Sequence, residues 1–200
     1  MDISFFSSIP TDVLRYSIIV LFFLISVVIS LRSSNRRDAV HQVFCLFFAI
    51  VADYIILFTD AYQIGVIVFW CAHITAIRRY QPKLFVYAMA AAITGWIICI
   101  IMTITGTTVP VVLVSSFYAA FILTATVSSY FARQKRWNNL CSRLGMTLFV
   151  MCDINVIFYN MLPQNAPSIP VFGTLIWVFY VPAQFLLSIS AYSYLDKKSQ

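Results

Sequence analysis

Long apolar runs and short polar breaks alternate along this chain. Apolar stretches cover 13–31, 38–58, 61–80, 84–104, 109–131, 138–160 and 169–195. Each approaches or exceeds the about 20 residues a helix needs to cross a bilayer core. The breaks carry turn chemistry: Ser33-Ser34-Asn35, Gln81-Pro82, Gly106 to Pro110, and Pro163 to Pro170. Runs this long and continuous predict helices, because a membrane barrel would show short segments of alternating hydrophobicity. The pattern predicts an all-α, polytopic transmembrane bundle of seven spans, forming one domain over 1–200. An eighth element stays open, around Ser4 to Pro10 or within the long last segment.

Composition supports the membrane reading. Hydrophobic residues make up 62% of the 200 and charged residues 10%, against roughly 25% charged in soluble domains. The mean hydropathy is +0.90. All seven acidic residues are Asp, so a soluble surface of Glu/Lys pairs is excluded. The five cysteines, Cys45, Cys71, Cys99, Cys141 and Cys152, lie in or beside apolar runs without metal-like or disulfide-like spacing, and are expected to be inert thiols.

The net charge of +6 is explained by where the cations fall. Arg32, Arg36 and Arg37 follow the first span, and Arg78, Arg79 and Lys83 the third. Arg133, Lys135, Arg136 and Arg143 follow the fifth, and Lys197 and Lys198 the seventh. The intervening connections, near Asp60, Gly106 and Gln164, hold no Lys or Arg, and only Arg15 breaks the alternation. Positive charge collects on cytoplasmic loops, so the N-terminus is expected outside and the C-terminus in the cytoplasm. The basic balance is an insertion signal and not a nucleic-acid footprint. The first run follows Asp2 and Asp12 rather than a basic segment and has no small-residue cleavage site, so it is expected to be a retained helix.

The second and sixth runs align as FFAIVADYIILF and LFVMCDINVIF, which sets Asp53 over Asp153. The third and seventh align as VFWCAH and VFYVPAQ, with one extra residue in the latter. A three-plus-one-plus-three parallel repeat is one reading of this similarity; chance likeness between apolar segments is the other.

Ionisable groups inside a membrane are costly and point to function by default. Asp38, Asp60 and Asp196 fall at span edges and are expected to be solvated. Asp53 and Asp153 lie inside their runs, and could face one cavity or be neutral acids hydrogen-bonded to neighbouring helices. His73 and Gln184 sit in the third and seventh runs. Gly65, Phe69 and His73 recur at intervals of four, as do Gly145, Phe149 and Asp153, while Tyr180 precedes Gln184 by four. Residues so spaced share one helix face, so small, aromatic and polar groups are predicted to point together into the bundle. Tyr54 and Asn155, next to the acids in sequence, are expected to face elsewhere.

No nucleophile-elbow, zinc-protease, Walker or dinucleotide motif occurs. With only His41 and His73 present, a three-histidine zinc site cannot be assembled. A mixed site of Asp53, Asp153 and His73 stays open on residue types alone.

These blocks resemble the YhhN-like lysoplasmalogenases: an Asp on one helix, G-x-x-x-F-x-x-x-H on the next, then G-x-x-x-F-x-x-x-D and Y-x-x-x-Q. The chain carries Asp53, Gly65 to His73, Gly145 to Asp153, and Tyr180 to Gln184 in that order, so the resemblance covers essentially its whole length. It departs at Ala52 and Cys152, where members often carry Gly and Ser, and at Ala76 or Ile77, where a Tyr is usual. Members are commonly described with eight helices. The resemblance implies a cofactor-free hydrolase that cleaves the vinyl ether of a lysoplasmalogen, giving a fatty aldehyde and a glycerophospho-base. Cleavage needs a proton delivered to carbon and water to capture the oxocarbenium ion, a two-carboxylate logic like that of glycosidases. On this reading Asp53 and Asp153 are the acid/base pair. His73 and Gln184, with Tyr180, Phe69 and Phe149, would bind or orient the substrate, and no metal takes part. The expected partners are a lysophospholipid substrate, reaching the site sideways from the outer leaflet, and the surrounding membrane lipids. The expected location is the cytoplasmic membrane of a bacterium or an endomembrane of a eukaryote. The rival readings are a heptahelical proton-linked transporter, with the acids as a relay, and a lipid-sensing membrane protein.

Overall fold

Each apolar run becomes a helix in the computed structural model, which describes residues 11–105, 110–132, 134, 136–163 and 165–191. In chain order the helices are α1 Thr11–Arg32, α2 Arg36–Phe58, α3 Tyr62–Tyr80, α4 Phe85–Ile104, α5 Pro110–Tyr130, α6 Arg136–Met161 and α7 Ile169–Ile189. A 3-10 turn, Pro82–Leu84, leads into α4. No strand occurs among the described residues. The tract Ser4 to Pro10, Gly106, Arg133, Lys135, Gln164, Asp196, Lys197, Lys198 and the side chain of Cys99 lie outside the described residues.

The breaks act as their chemistry suggests. Asn35 caps α2, its side chain accepting from the Asp38 amide at 3.2 Å. Pro82 opens the 3-10 turn and Pro170 lies in the first turn of α7, where a missing N–H costs nothing. The last helix stops sooner than the sequence suggests. The run continues to 195, but α7 ends at Ile189 and Ser190 turns away, its hydroxyl donating to the Leu187 carbonyl at 2.7 Å.

Among the described residues, five helices are long and apolar enough to cross a membrane: α1, α2, α4 with its leading turn, α6 and α7. α3 carries Gln63, His73, Arg78 and Arg79 within 19 residues. It can do so because it is an inner helix, buried at Gly65, Val66, Phe69, Ala72, His73, Ala76, Ile77 and Tyr80. In α5 the described apolar segment is Phe117–Tyr130.

The helices close into a ring in the order α1, α2, α3, α5, α6, α7 and back to α1, with α4 outside it against α5. Shifting every helix of the ring by four maps each neighbouring pair onto another neighbouring pair. Lipid supplies no hydrophobic drive between helices, so close packing of small residues has to hold them together. Ala39, Ala49, Ala52, Ala72, Ala76, Ala125 and Ala183 are accordingly all buried at the seams. The two motif glycines mark the tightest approaches. A Cβ on Gly65 of α3 would stand 2.5 Å from Ile56 Cγ1 and 3.2 Å from the Ala52 carbonyl of α2. One on Gly145 of α6 would stand 2.9 Å from Leu187 Cγ and 3.3 Å from the Ala183 carbonyl of α7.

Short connections make sequence neighbours antiparallel, so the described basic residues other than Arg15 gather at one end of the bundle. That end is tied by Arg79, whose side chain has no exposed surface. It donates to both carboxylate oxygens of Asp38 at 2.9 Å, to the side chain of Gln42, and to Ser190 Oγ at 2.8 Å. Gln134 also donates to Asp38 at 2.8 Å, and Ser142 to Gln134 at 3.1 Å. Asp38 is therefore not the solvated edge residue its position suggests: it is 12% exposed and joins α2 to α3. Asp60 is exposed.

Candidate functional site

The site assembles from the same seams. α2 buries Cys45, Leu46, Ala49, Ala52 and Asp53 at helical spacing, so Asp53 ends an inward stripe. α6 does the same with Cys141, Ser142, Gly145, Met146, Phe149 and Cys152, and Asp153 follows, half-buried. Because Gly65 admits α3 against Ala52 and Gly145 admits α6 against Ala183, each glycine draws its helix to the residue beside Asp53 or Gln184.

Two matched hydrogen-bonded chains result. In one, Gln184 Nε2 donates to the Tyr180 hydroxyl at 2.7 Å, and Tyr180 donates to Asp53 Oδ2. In the other, Tyr118 donates to Asp153 Oδ2 at 2.6 Å, and His73 Nε2 lies 3.1 Å from the Tyr118 oxygen. The Tyr118 proton is directed to Asp153, so its oxygen accepts from His73 and a neutral His73 carries its proton on Nε2. The acids come from α2 and α6, the tyrosines from α7 and α5, and the histidine from α3.

Aromatic rings join the chains. Phe149 stands edge-on to His73 at 5.4 Å between centroids and to Tyr180 at 5.3 Å. Phe69 stacks on His73 at 6.4 Å and meets Phe149 edge-on at 5.9 Å. Asp53, His73, Tyr180, Gln184, Phe69 and Phe149 are all buried. Two buried acceptors, His73 Nδ1 and Gln184 Oε1, have no hydrogen-bond partner. A buried polar atom left unpaired is costly, so each is a place for a hydroxyl or water proton.

All seven sequence-derived site residues thus fall in one cluster. Tyr54 faces outward at 51% exposed; Asn155 is buried and donates to the Met151 carbonyl at 2.7 Å. Tyr118 is the residue the sequence did not single out: it looks like one of 11 tyrosines in an aromatic-rich chain, yet it links His73 to Asp153. Among the described residues, no three His, Cys, Asp or Glu side chains converge closely enough to hold a metal ion. Cys45, Cys71, Cys141 and Cys152 are free thiols.

Fold and site together define a multi-helix membrane protein with one buried and one half-buried carboxyl in a polar and aromatic cluster. The YhhN family model matches residues 12–191, and the chain belongs to the YhhN family, the lysoplasmalogenase family. Neither a curated protein nor a solved structure gives a match.

Proposed function

We propose that the protein hydrolyses the vinyl ether bond of a lysoplasmalogen within the membrane, with Asp53 and Asp153 as its acid/base pair. The observation that carries the reading is the paired arrangement of the two acids, each holding a tyrosine hydroxyl, in one aromatic-walled cluster. One carboxyl, protonated, delivers its proton to the β-carbon of the vinyl ether and leaves an oxocarbenium ion. The other, ionised, stabilises that cation and takes a proton from the water that attacks it. The hemiacetal so formed collapses to a fatty aldehyde and a glycerophospho-base as its hydroxyl proton passes to the departing glycerol oxygen, and the proton taken from water moves from the second acid to the first to reset the pair. Tyr118 and Tyr180 fix the carboxyl orientations, and His73 Nδ1 and Gln184 Oε1 hold the water or a glycerol hydroxyl. The substrate is a single-chain amphiphile, and no cofactor enters. The chain spans the membrane seven times, with its basic end in the cytoplasm.

Purified protein in detergent, given a lysoplasmalogen and no ion gradient, is expected to release fatty aldehyde. Intact substrate after prolonged incubation of well-folded protein would remove the reading. One observation favours a second reading: the helix ring repeats its neighbour pattern after a shift of four, an arrangement that suits carriers. Gradient-dependent uptake into proteoliposomes without aldehyde release would select it.

A further inference from the structure

Arg15 is the one basic residue that the insertion signal leaves unexplained. It lies near the start of α1, at the end of the bundle opposite the other described cations. Its guanidinium lies over the Trp177 ring, 4.6 Å from the centroid, and pairs with Asp12 at 3.1 Å. That pair is 38% and 49% exposed, a setting in which an ion pair is worth little and gives way to a better anion. Beside it, an open surface groove of about 540 Å³ is lined by Arg15, Thr174, Trp177, Val178, Val181 and Pro182. Its polar residues, Arg15 and Thr174, sit toward the end of the bundle; its apolar ones continue along α7 into the membrane. One ring separates this groove from the candidate site. Trp177 meets Tyr180 edge-on at 5.8 Å, and Tyr180 donates to Asp53.

We propose that the groove between α1 and α7 binds one single-chain phospholipid, its phosphate on Arg15 and its chain along Trp177, Val178, Val181 and Pro182. This deepens the lysoplasmalogen reading and rests on it. The occupant follows from charge and shape. An arginine stacked on an aromatic ring keeps its in-plane N–H groups for a phosphate, and the apolar trough below it suits one hydrocarbon chain. The order of groups in the lipid also matches. A vinyl ether lies between phosphate and chain, so a lipid held this way has that bond beside Trp177, whose ring meets Tyr180, the tyrosine that donates to Asp53. Arg15 and Trp177 are then positioning residues that set which bond of the lipid lies against the Tyr180 side of the cluster.

The test uses a lysophosphatidylcholine with a brominated chain, titrated into nanodiscs that hold the full protein, with tryptophan emission as the readout. The probe is expected to quench a component that Trp177→Phe removes. Arg15→Gln is expected to weaken its binding about tenfold, the worth of one charge-assisted contact. Asp12→Asn, which frees Arg15, is expected to tighten it, and this opposite sign keeps the test decisive if Arg15→Gln does not fold. A brominated monoacylglycerol, without phosphate, should respond to neither change. Equal effects on both lipids, or quenching that persists in Trp177→Phe, would overturn the groove. Aldehyde release is scored separately. Charge-dependent binding without cleavage upholds the groove and removes the hydrolase reading. Cleavage whose KM ignores Arg15→Gln overturns the groove and leaves the hydrolase.

Discussion

Asp53 and Asp153 each accept a hydrogen bond from a tyrosine on another helix, and everything proposed for the chemistry depends on those two contacts. Asp→Asn at either position keeps the shape but removes a proton donor or a negative charge. General acid–base groups contribute about 100- to 10,000-fold, so aldehyde release should fall by at least about 100-fold in each single variant while helical content is retained. Near-normal turnover in both would leave the acids as structural hydrogen-bond partners. Tyr118→Phe tests the orienting role. It deletes the bond to Asp153 and the contact with His73 together, and a hydrogen bond to an acid is worth about 1.5–3 kcal/mol. Its kcat should fall about 10- to 100-fold, less than for either Asp variant, and His73→Gln should cost little more once Tyr118 is gone. Additive losses would place His73 on a separate task. The sequence exposed the acids, His73 and Gln184 because polar groups stand out in apolar runs. It hid Tyr118 because a tyrosine is ordinary at membrane depth, and only the packing of α5 between α3 and α6 gives that hydroxyl two partners.

Among the helices, the glycines decide whether those contacts form at all. Gly65 lets α3 settle against Ala52, the residue before Asp53. Gly65→Ala puts a Cβ 2.5 Å from Ile56 Cγ1, and overpacking of this kind costs about 1–3 kcal/mol. The variant should melt earlier in detergent and lose activity. Adding Ile56→Ala removes the clashing atom, so the double variant should recover part of both losses. No recovery would mean that the backbone approach at the Ala52 carbonyl, not the Ile56 side chain, sets the limit. Helix positions were legible from the apolar runs because four of the six breaks carry a proline, a glycine or a cap, and, the end of α7 apart, the boundaries agree to a few residues. Two features were not legible. The end of α7 at Ile189 coincides with Ser190 accepting from Arg79, a contact from another helix. The burial of Asp38 likewise depends on a partner 41 residues away. Both are long-range choices that local composition does not record.

The molecule as a whole has two unlike ends. Arg79, Asp38, Gln42, Gln134 and Ser190 knit α2, α3, α7 and the approach to α6 together at the basic end. Asp53 lies five residues before the end of α2, so the acids sit nearer the opposite end, where Arg15 and the α1–α7 groove also lie. The α1–α7 groove meets lipid in the leaflet opposite the basic end, so the orientation of the bundle decides which leaflet supplies the proposed substrate. The proposed topology, in which positive charge is retained in the cytoplasm, has the basic end inside and the groove in the outer leaflet. Single cysteines at two exposed positions test this in sealed cells of a strain that inserts the protein natively. Asp60→Cys, in the α2–α3 connection, should react with a membrane-impermeant maleimide, and Arg36→Cys, at the start of α2, should react only after the membrane is opened. The two sites flank one helix, so a single span fixes the direction of the ring. Labelling of Arg36→Cys in intact cells with protection of Asp60→Cys would invert the molecule, and the substrate would then come from the cytoplasmic leaflet with the groove and the acids otherwise unchanged.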